Sequence, residues 1–172
     1  SAAIAPGAPI RKYDQIIDDL ARRAQAGELI GFPLPPDWHK LADALPAIYP
    51  GDFIVVSGPP GSGKSALLES WAEHCAALGQ RVHYFHTEMS TEQILHRRMA
   101  RHSGLPYHLL ASGRAVEHYE RLLQADSDQI FPFAQHIAYH WMPDVAFARL
   151  AQEMRLSAMR GTRFFFIDHF QD

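Results

Sequence analysis

Residues Gly58 to Ser65 read GPPGSGKS and satisfy the spacing G-x-x-x-x-G-K-[ST]. Each residue type in that run answers a need of one bound anion. Gly58, Gly61 and Gly63 permit backbone conformations that other residues resist, so successive N–H groups can converge on a phosphate. A helix opening at Lys64 would add its partial positive charge. Lys64 has the reach for β- and γ-phosphates, and the Ser65 hydroxyl is a ligand type suited to Mg²⁺. The chemistry is that of nucleoside triphosphate binding through Gly58, Pro59, Pro60, Gly61, Ser62, Gly63, Lys64, Ser65 and Ala66. The competing reading is an incidental glycine-rich turn.

Two acids extend the pattern. Asp168 closes the apolar run FFFID. At the C-terminal tip of a buried parallel strand it would sit beside the phosphates and hold Mg²⁺ or its waters. Its rival role is a turn residue ending the strand. Glu88 closes RVHYFHTE, and a carboxylate on a neighbouring strand tip could orient and deprotonate an attacking water. Its rival role is an acid favoured ahead of a helix that starts near Ser90.

These residues need strands and helices to position them, and the sequence supplies both. DFIVVS (52–57) and FFFID (164–168) are short apolar runs of buried-strand type, and RVHYFHT (81–87) is a third. Between them the spacing predicts a helix over 64–78, with Leu67, Leu68, Trp71, Ala72, Cys75 and Leu78 on one face and Gly79 as its stop. Ser90 with Gln93 predicts a capping box opening a second helix. Further helices are expected over 114–123 and 144–160, the latter facing inward with Phe147, Leu150, Ala151, Met154 and Ala158. Residues 130–141 contain strand-like and irregular pieces. Upstream, Tyr13, Ile16, Ile17, Leu20, Ala21 and Ala24 fall at helical spacing up to Gly27. The connector GFPLPPDWHK is expected to be extended, its prolines barring helix and sheet interiors. Strands alternating with helices, with continuous apolar strand interiors, predict an α/β fold in which helices flank a mostly parallel sheet.

Composition narrows the class further. The chain has 172 residues, 47% of them hydrophobic, and a net charge of −3, enough for a packed domain and too balanced for a disordered one. A sequence pI near 6.4 means that any nucleic-acid contact must come from a local patch. Cys75 is the single cysteine, which excludes an internal disulfide and fits a reducing compartment. No run approaches the length needed to cross a bilayer, and the first residues carry no signal-peptide pattern. Of the eleven histidines, the pairs His136/His140 and His83/His86 lack the cysteine or acidic partners of a zinc site and read as solvated or core residues. Arg97, Arg98 and Arg101 read as a solvated basic face, and Trp71 and Cys75 as core.

The segment HTEMSTEQILHRRMARHSG, from His86 to Gly104, resembles the S-L-E-M-S segment and following helix of DnaB-type replicative helicases, and FFFIDHFQD resembles their I-D-Y-L-Q motif. The segments SGLPYHLLASGRAVEHYERL and MPDVAFARLAQEMRLSAMRG are similar in character to that family's intervening helices. The resemblance implies a RecA-like P-loop ATPase core over 31–172 and a linker helix over 13–30, while the Ala, Pro and Gly residues at the start of the chain read as a flexible leader over 1–12. It implies ATP and Mg²⁺ as cofactors, with Lys64 and Ser65 on phosphate and metal. It further implies Glu88 as the residue that activates water, Asp168 in the metal-holding role and Gln171 as a γ-phosphate sensor. It also implies a hexameric ring on single-stranded DNA, an arginine supplied by the neighbouring subunit and a cytoplasmic bacterial or phage-host location. The departures are Leu34-Pro35-Pro36 in place of I-P-T-G-F, His86-Thr87 in place of Ser-Leu, and His169-Phe170 in place of Tyr-Leu. The last makes a mitochondrial (Twinkle-type) or phage helicase relative an alternative. The family's DNA-contacting loops and arginine finger would lie beyond Asp172, so the expectation is a core truncated at its C-terminal side, weakly active or inactive alone. The other functional readings are a recombination- or clock-type RecA-like ATPase and a non-hydrolysing ATP-binding switch or loader module.

Overall fold

The computed structural model describes residues 12–27, 31–144 and 146–168. Of the expectations above, the leader up to residue 11 and Gln171 fall outside these residues. The chain divides into two compact units between Val55 and Val56.

The first unit opens with α1 (Tyr13–Gln25), as its spacing predicts. Asp19 pairs with both Arg22 and Arg23 one turn on, exposed pairs that add little each. Strand β1 (Phe32–Pro33) and strand β2 (Ala47–Ile48) form a short antiparallel ladder, with helix α2 (His39–Ala44) between them. The connector is therefore not simply extended. A proline is tolerated in so short an edge ladder, and the helix begins only once Pro35 and Pro36 are passed. At Gly31 a Cβ would lie 2.7 Å from the Ala47 Cβ, so only glycine lets the two segments approach.

The segment 52–57 departs from its expected strand. Tyr49–Asp52 forms a tight turn, with Gly51 at φ 98° and the Asp52 carboxylate accepting from the Tyr49 N–H at 2.8 Å. Pro50 and Gly51 occupy the positions those residues favour in such a turn. Beyond it Phe53 is 87% and Val55 71% exposed, and the segment joins no ladder among the described residues. Strand-forming residues fit a pleated buried surface, and they make a strand only where a neighbour is available.

That sheet has three parallel strands in the order β4-β3-β5. Helix α3 (Lys64–Ala77) precedes β3 (Val82–His86), and α4 (Thr91–Ser103) follows it. Short helices α5 (Tyr107–Ala111), α6 (Tyr119–Ala125) and α7 (Phe131–Ala134) lead to β4 (Ile137–Trp141), α8 (Phe147–Met159) and β5 (Phe164–Asp168). Residues 114–123, expected as one helix, split into a 3-10 turn and α6. A π-helical turn, Asp126–Ile130, joins α6 to α7. The capping box of α4 forms as predicted, with the Ser90 hydroxyl and the Gln93 amide each meeting the other's backbone N–H.

Strand alternation assigns the two faces of the sheet. Tyr84 and Phe166 stack on one face, where Trp71 of α3 meets Phe166 edge-on at 6.2 Å. On the other, Phe85, Met142 and Leu150 form a core with Met154, Phe165 and Ile167 packed against it. Helix α8 thus lies inward through Leu150 and Ser157, whereas Phe147 and Ala158, expected inside, are exposed.

Helix α3 brings a correction. Leu78 is half exposed, while Glu69 and Glu73 are buried. Their partners are on α4: Arg98 Nε donates to Glu73 Oε1 at 2.7 Å, Arg101 pairs with both acids and His102 meets Glu73 at 3.2 Å. Arg98, read from sequence as part of a solvated face, is 1% exposed. Its guanidinium lies over the rings of Phe133 and Tyr139, at 5.5 and 4.9 Å. The arginines of α4 look solvated when that helix is read alone; paired with the acids of α3, Arg98 can be buried.

Candidate nucleotide and metal site

The loop before α3 has the conformation its glycines predict. Gly61 and Gly63 adopt φ of 76° and 89°, in the left-handed region closed to most residues. At Gly58 a Cβ would stand 2.8 Å from Ser62 Oγ, so a side chain there would close the loop. No side chain caps the start of α3 and no acid lies in its first turn, which leaves its first N–H groups and their partial positive charge for an anion. The Lys64 ammonium arches over the loop, donating to the carbonyls of Gly58 at 2.9 Å and Pro59 at 3.1 Å.

Asp168 is at the tip of β5, buried, on the same sheet face as Phe166. Its Oδ1 accepts from Ser65 Oγ at 3.0 Å, across 103 residues of sequence. Its Oδ2 accepts from the Tyr84 hydroxyl at 3.1 Å. A hydroxyl and a carboxylate side by side are hard oxygen donors of the kind Mg²⁺ takes, with waters completing its shell. The residues present therefore fit the metal of a bound nucleoside triphosphate.

The ladder brings Glu88 to the same end of the sheet. His86 is level with Asp168, and the Thr87 N–H donates to the Asp168 carbonyl at 3.0 Å. Glu88 follows in the exposed bend between β3 and α4. His86 secures that bend: its Nδ1 lies 2.7 Å from the Met89 carbonyl and its Nε2 3.3 Å from Thr91 Oγ1. A carbonyl can only accept, so Nδ1 carries the proton and Nε2 accepts from the threonine. Burial pushes the His86 pKa down, against the opposing pull of the Met89 bond and the Asp168 charge, which keeps this neutral tautomer in place.

The structure thus brings Lys64, Ser65, Asp168 and the Glu88 bend to the C-terminal end of one parallel sheet. Tyr84 and His86 were not singled out for the site from sequence. A period-two reading puts Val82, Tyr84 and His86 on one face of their strand, but only the pairing of Tyr84 with Phe166 sets that face against Asp168. Cys75 and Trp71 are core, as expected, and burial raises the Cys75 thiol to about 12. No helix among the described residues is long and apolar enough to cross a membrane.

Residues 34–172 match the family model of the DnaB-like helicase C-terminal domain. A replicative DNA helicase DnaB of Mycoplasma genitalium is 31% identical over 122 residues, covering 67% of this chain and 26% of that protein. Its counterpart in Mycoplasma pneumoniae is 26% identical over 127 residues, covering 68% and 27%. The chain thus spans about a quarter of the length of these curated relatives. Among solved structures, an ATPase domain matches with a TM-score of 0.76 at 15% identity, over 94% of this chain and 58% of that one, a likeness of fold.

Proposed function

The chain belongs to the DnaB-like helicase C-terminal domain family, and from that premise we propose that it is the ATP-binding and ATP-hydrolysing motor core of a replicative DNA helicase. The observation that carries this reading is the 3.0 Å bond from Ser65 to Asp168, which joins the phosphate loop to the strand-tip acid. Gly58–Ala66 cradles the triphosphate, and Lys64 binds its β- and γ-oxygens. Ser65 and Asp168 would hold the Mg²⁺ of the bound nucleotide. When bound, that ion neutralises charge on the phosphoryl oxygens. Glu88 orients the attacking water and accepts its proton. Gln171 senses the γ-phosphate.

In the complete protein the core works as a hexameric ring on single-stranded DNA, in the cytoplasm of a bacterium or phage host, with α1 as the linker helix. An arginine from the next subunit completes charge stabilisation in the transition state.

The test is Glu88→Gln in the complete gene product, assayed with single-stranded DNA. ATP affinity should stay within about twofold while turnover falls by about 10²-fold or more, the range of a lost general base. Normal turnover would remove Glu88 from this role. Failure of the parent chain to bind ATP would remove the function itself.

A further inference from the structure

Asp168 has two carboxylate oxygens, and each receives one hydroxyl, from Ser65 on the loop side and from Tyr84 on the core side. Tyr84 is on the central strand of the sheet and is wholly buried. Its ring is held between Phe166, stacked at 6.1 Å, and Tyr139, tilted at 5.6 Å. A carboxylate oxygen only accepts, so the Tyr84 hydroxyl is the donor in its 3.1 Å bond to Asp168 Oδ2.

An aspartate carboxylate turns broadly about its last torsion. Fastened at Oδ2 by a fully buried, ring-packed tyrosine, it presents Oδ1 toward Ser65. A phenylalanine would fill the same space, so packing alone does not require this hydroxyl. A buried hydroxyl is unfavourable unless bonded, and here its bond goes to the acid assigned to the metal.

We propose that Tyr84 is a positioning residue for Asp168, holding Oδ2 so that Oδ1 and the Ser65 hydroxyl are set in advance for the Mg²⁺ of the bound nucleotide. This rests on the proposed role of Asp168 and Ser65, and it adds a residue outside the loop and acid motifs to metal selection.

The experiment is equilibrium binding of a fluorescent N-methylanthraniloyl-ATP to this chain across a Mg²⁺ titration, with direct Mn²⁺ binding followed by electron paramagnetic resonance. Tyr84→Phe should raise the Mg²⁺ concentration for half-saturation about tenfold, the scale of one charge-assisted hydrogen bond, and weaken Mn²⁺ binding in step. Nucleotide affinity without metal should stay within about twofold, because the loop is untouched. Ile94→Val, another wholly buried site, is the control for lost packing and should leave the Mg²⁺ dependence unchanged. Asp168→Asn and Ser65→Ala separate the two levels of the proposal. If they shift the Mg²⁺ dependence and Tyr84→Phe does not, Tyr84 is only a core residue. If neither shifts it, or the parent chain binds no nucleotide, the metal reading beneath the proposal falls with it. A shift shared equally by Ile94→Val also overturns the proposal.

Discussion

Glu73→Gln is the substitution whose effect the packing of α3 against α4 makes most predictable. It keeps the shape of the side chain and removes its charge. Arg98, at 1% exposure, has its Nε bonded to Glu73 at 2.7 Å. Without that carboxylate the guanidinium remains buried against Phe133 and Tyr139 with no full counter-charge in contact. Losing one partner of a buried pair is worth about 3–5 kcal/mol. Arg101 and His102 keep part of their exposure to water, so their losses are small and the total sits near the lower end, about 3 kcal/mol. For a chain of this size that corresponds to a fall in Tm of about 6–12 °C.

Glu69→Gln provides the contrast. Burial holds the Glu69 carboxyl above the usual range despite Arg101, and that arginine stands 3.8 Å away. A neutral isostere there should change stability by less than about 1 kcal/mol. At Glu73 burial pushes the same way, but the His102 bond and the Arg101 and Arg98 charges overcome it and leave the carboxyl low. Urea and thermal unfolding followed by circular dichroism would measure both variants. A Glu73→Gln protein within about 1 kcal/mol of the parent, or one no worse than Glu69→Gln, would refute the account of a buried network that depends on Glu73.

Acidification should destabilise the fold. Burial, foremost, lowers the pKa of both His83 and His86 below 6.5. The unfolded chain therefore takes up protons first as pH falls below that value, and stability declines until the folded state protonates too. Tm should fall from pH 7.5 to 5.5, and a flat or rising Tm would contradict the burial of these rings. Cys75, fully buried and with its thiol at about 12, should resist Ellman's reagent at pH 8 until denaturant is added. Reaction in native buffer on the scale of minutes would mean that α3 opens far more readily than its packing allows.

Local chemistry was readable in advance. GPPGSGKS carries its own conformational demand, and Gly61 and Gly63 meet it. The Ser90–Gln93 box lies within one helical turn, so its bonds depend on nothing distant. Strand β3 and strand β5 appear where apolar runs predicted them, and the parallel sheet follows from their alternation with helices. Exposure of Phe53 and Val55 was not readable, because a strand is a property of a pair and the residues of one segment state only a preference.

The sequence alone determined which groups gather at the C-terminal end of this sheet: a lysine, a hydroxyl, two acids and the glycines of a left-handed loop. It did so because those groups lie within a few residues of one another or at the ends of single strands. Tertiary structure alone decided which faces meet. It took the parallel register of β3 with β5 to bring the Tyr84 hydroxyl to Asp168. It took the packing of α4 on α3 to turn Arg98 from an apparent surface charge into half of a buried pair with Glu73. A charge or hydroxyl is tolerated in a core only opposite its partner, and that partner lies 25 residues away for Arg98 and 84 for Tyr84, beyond the reach of any local pattern.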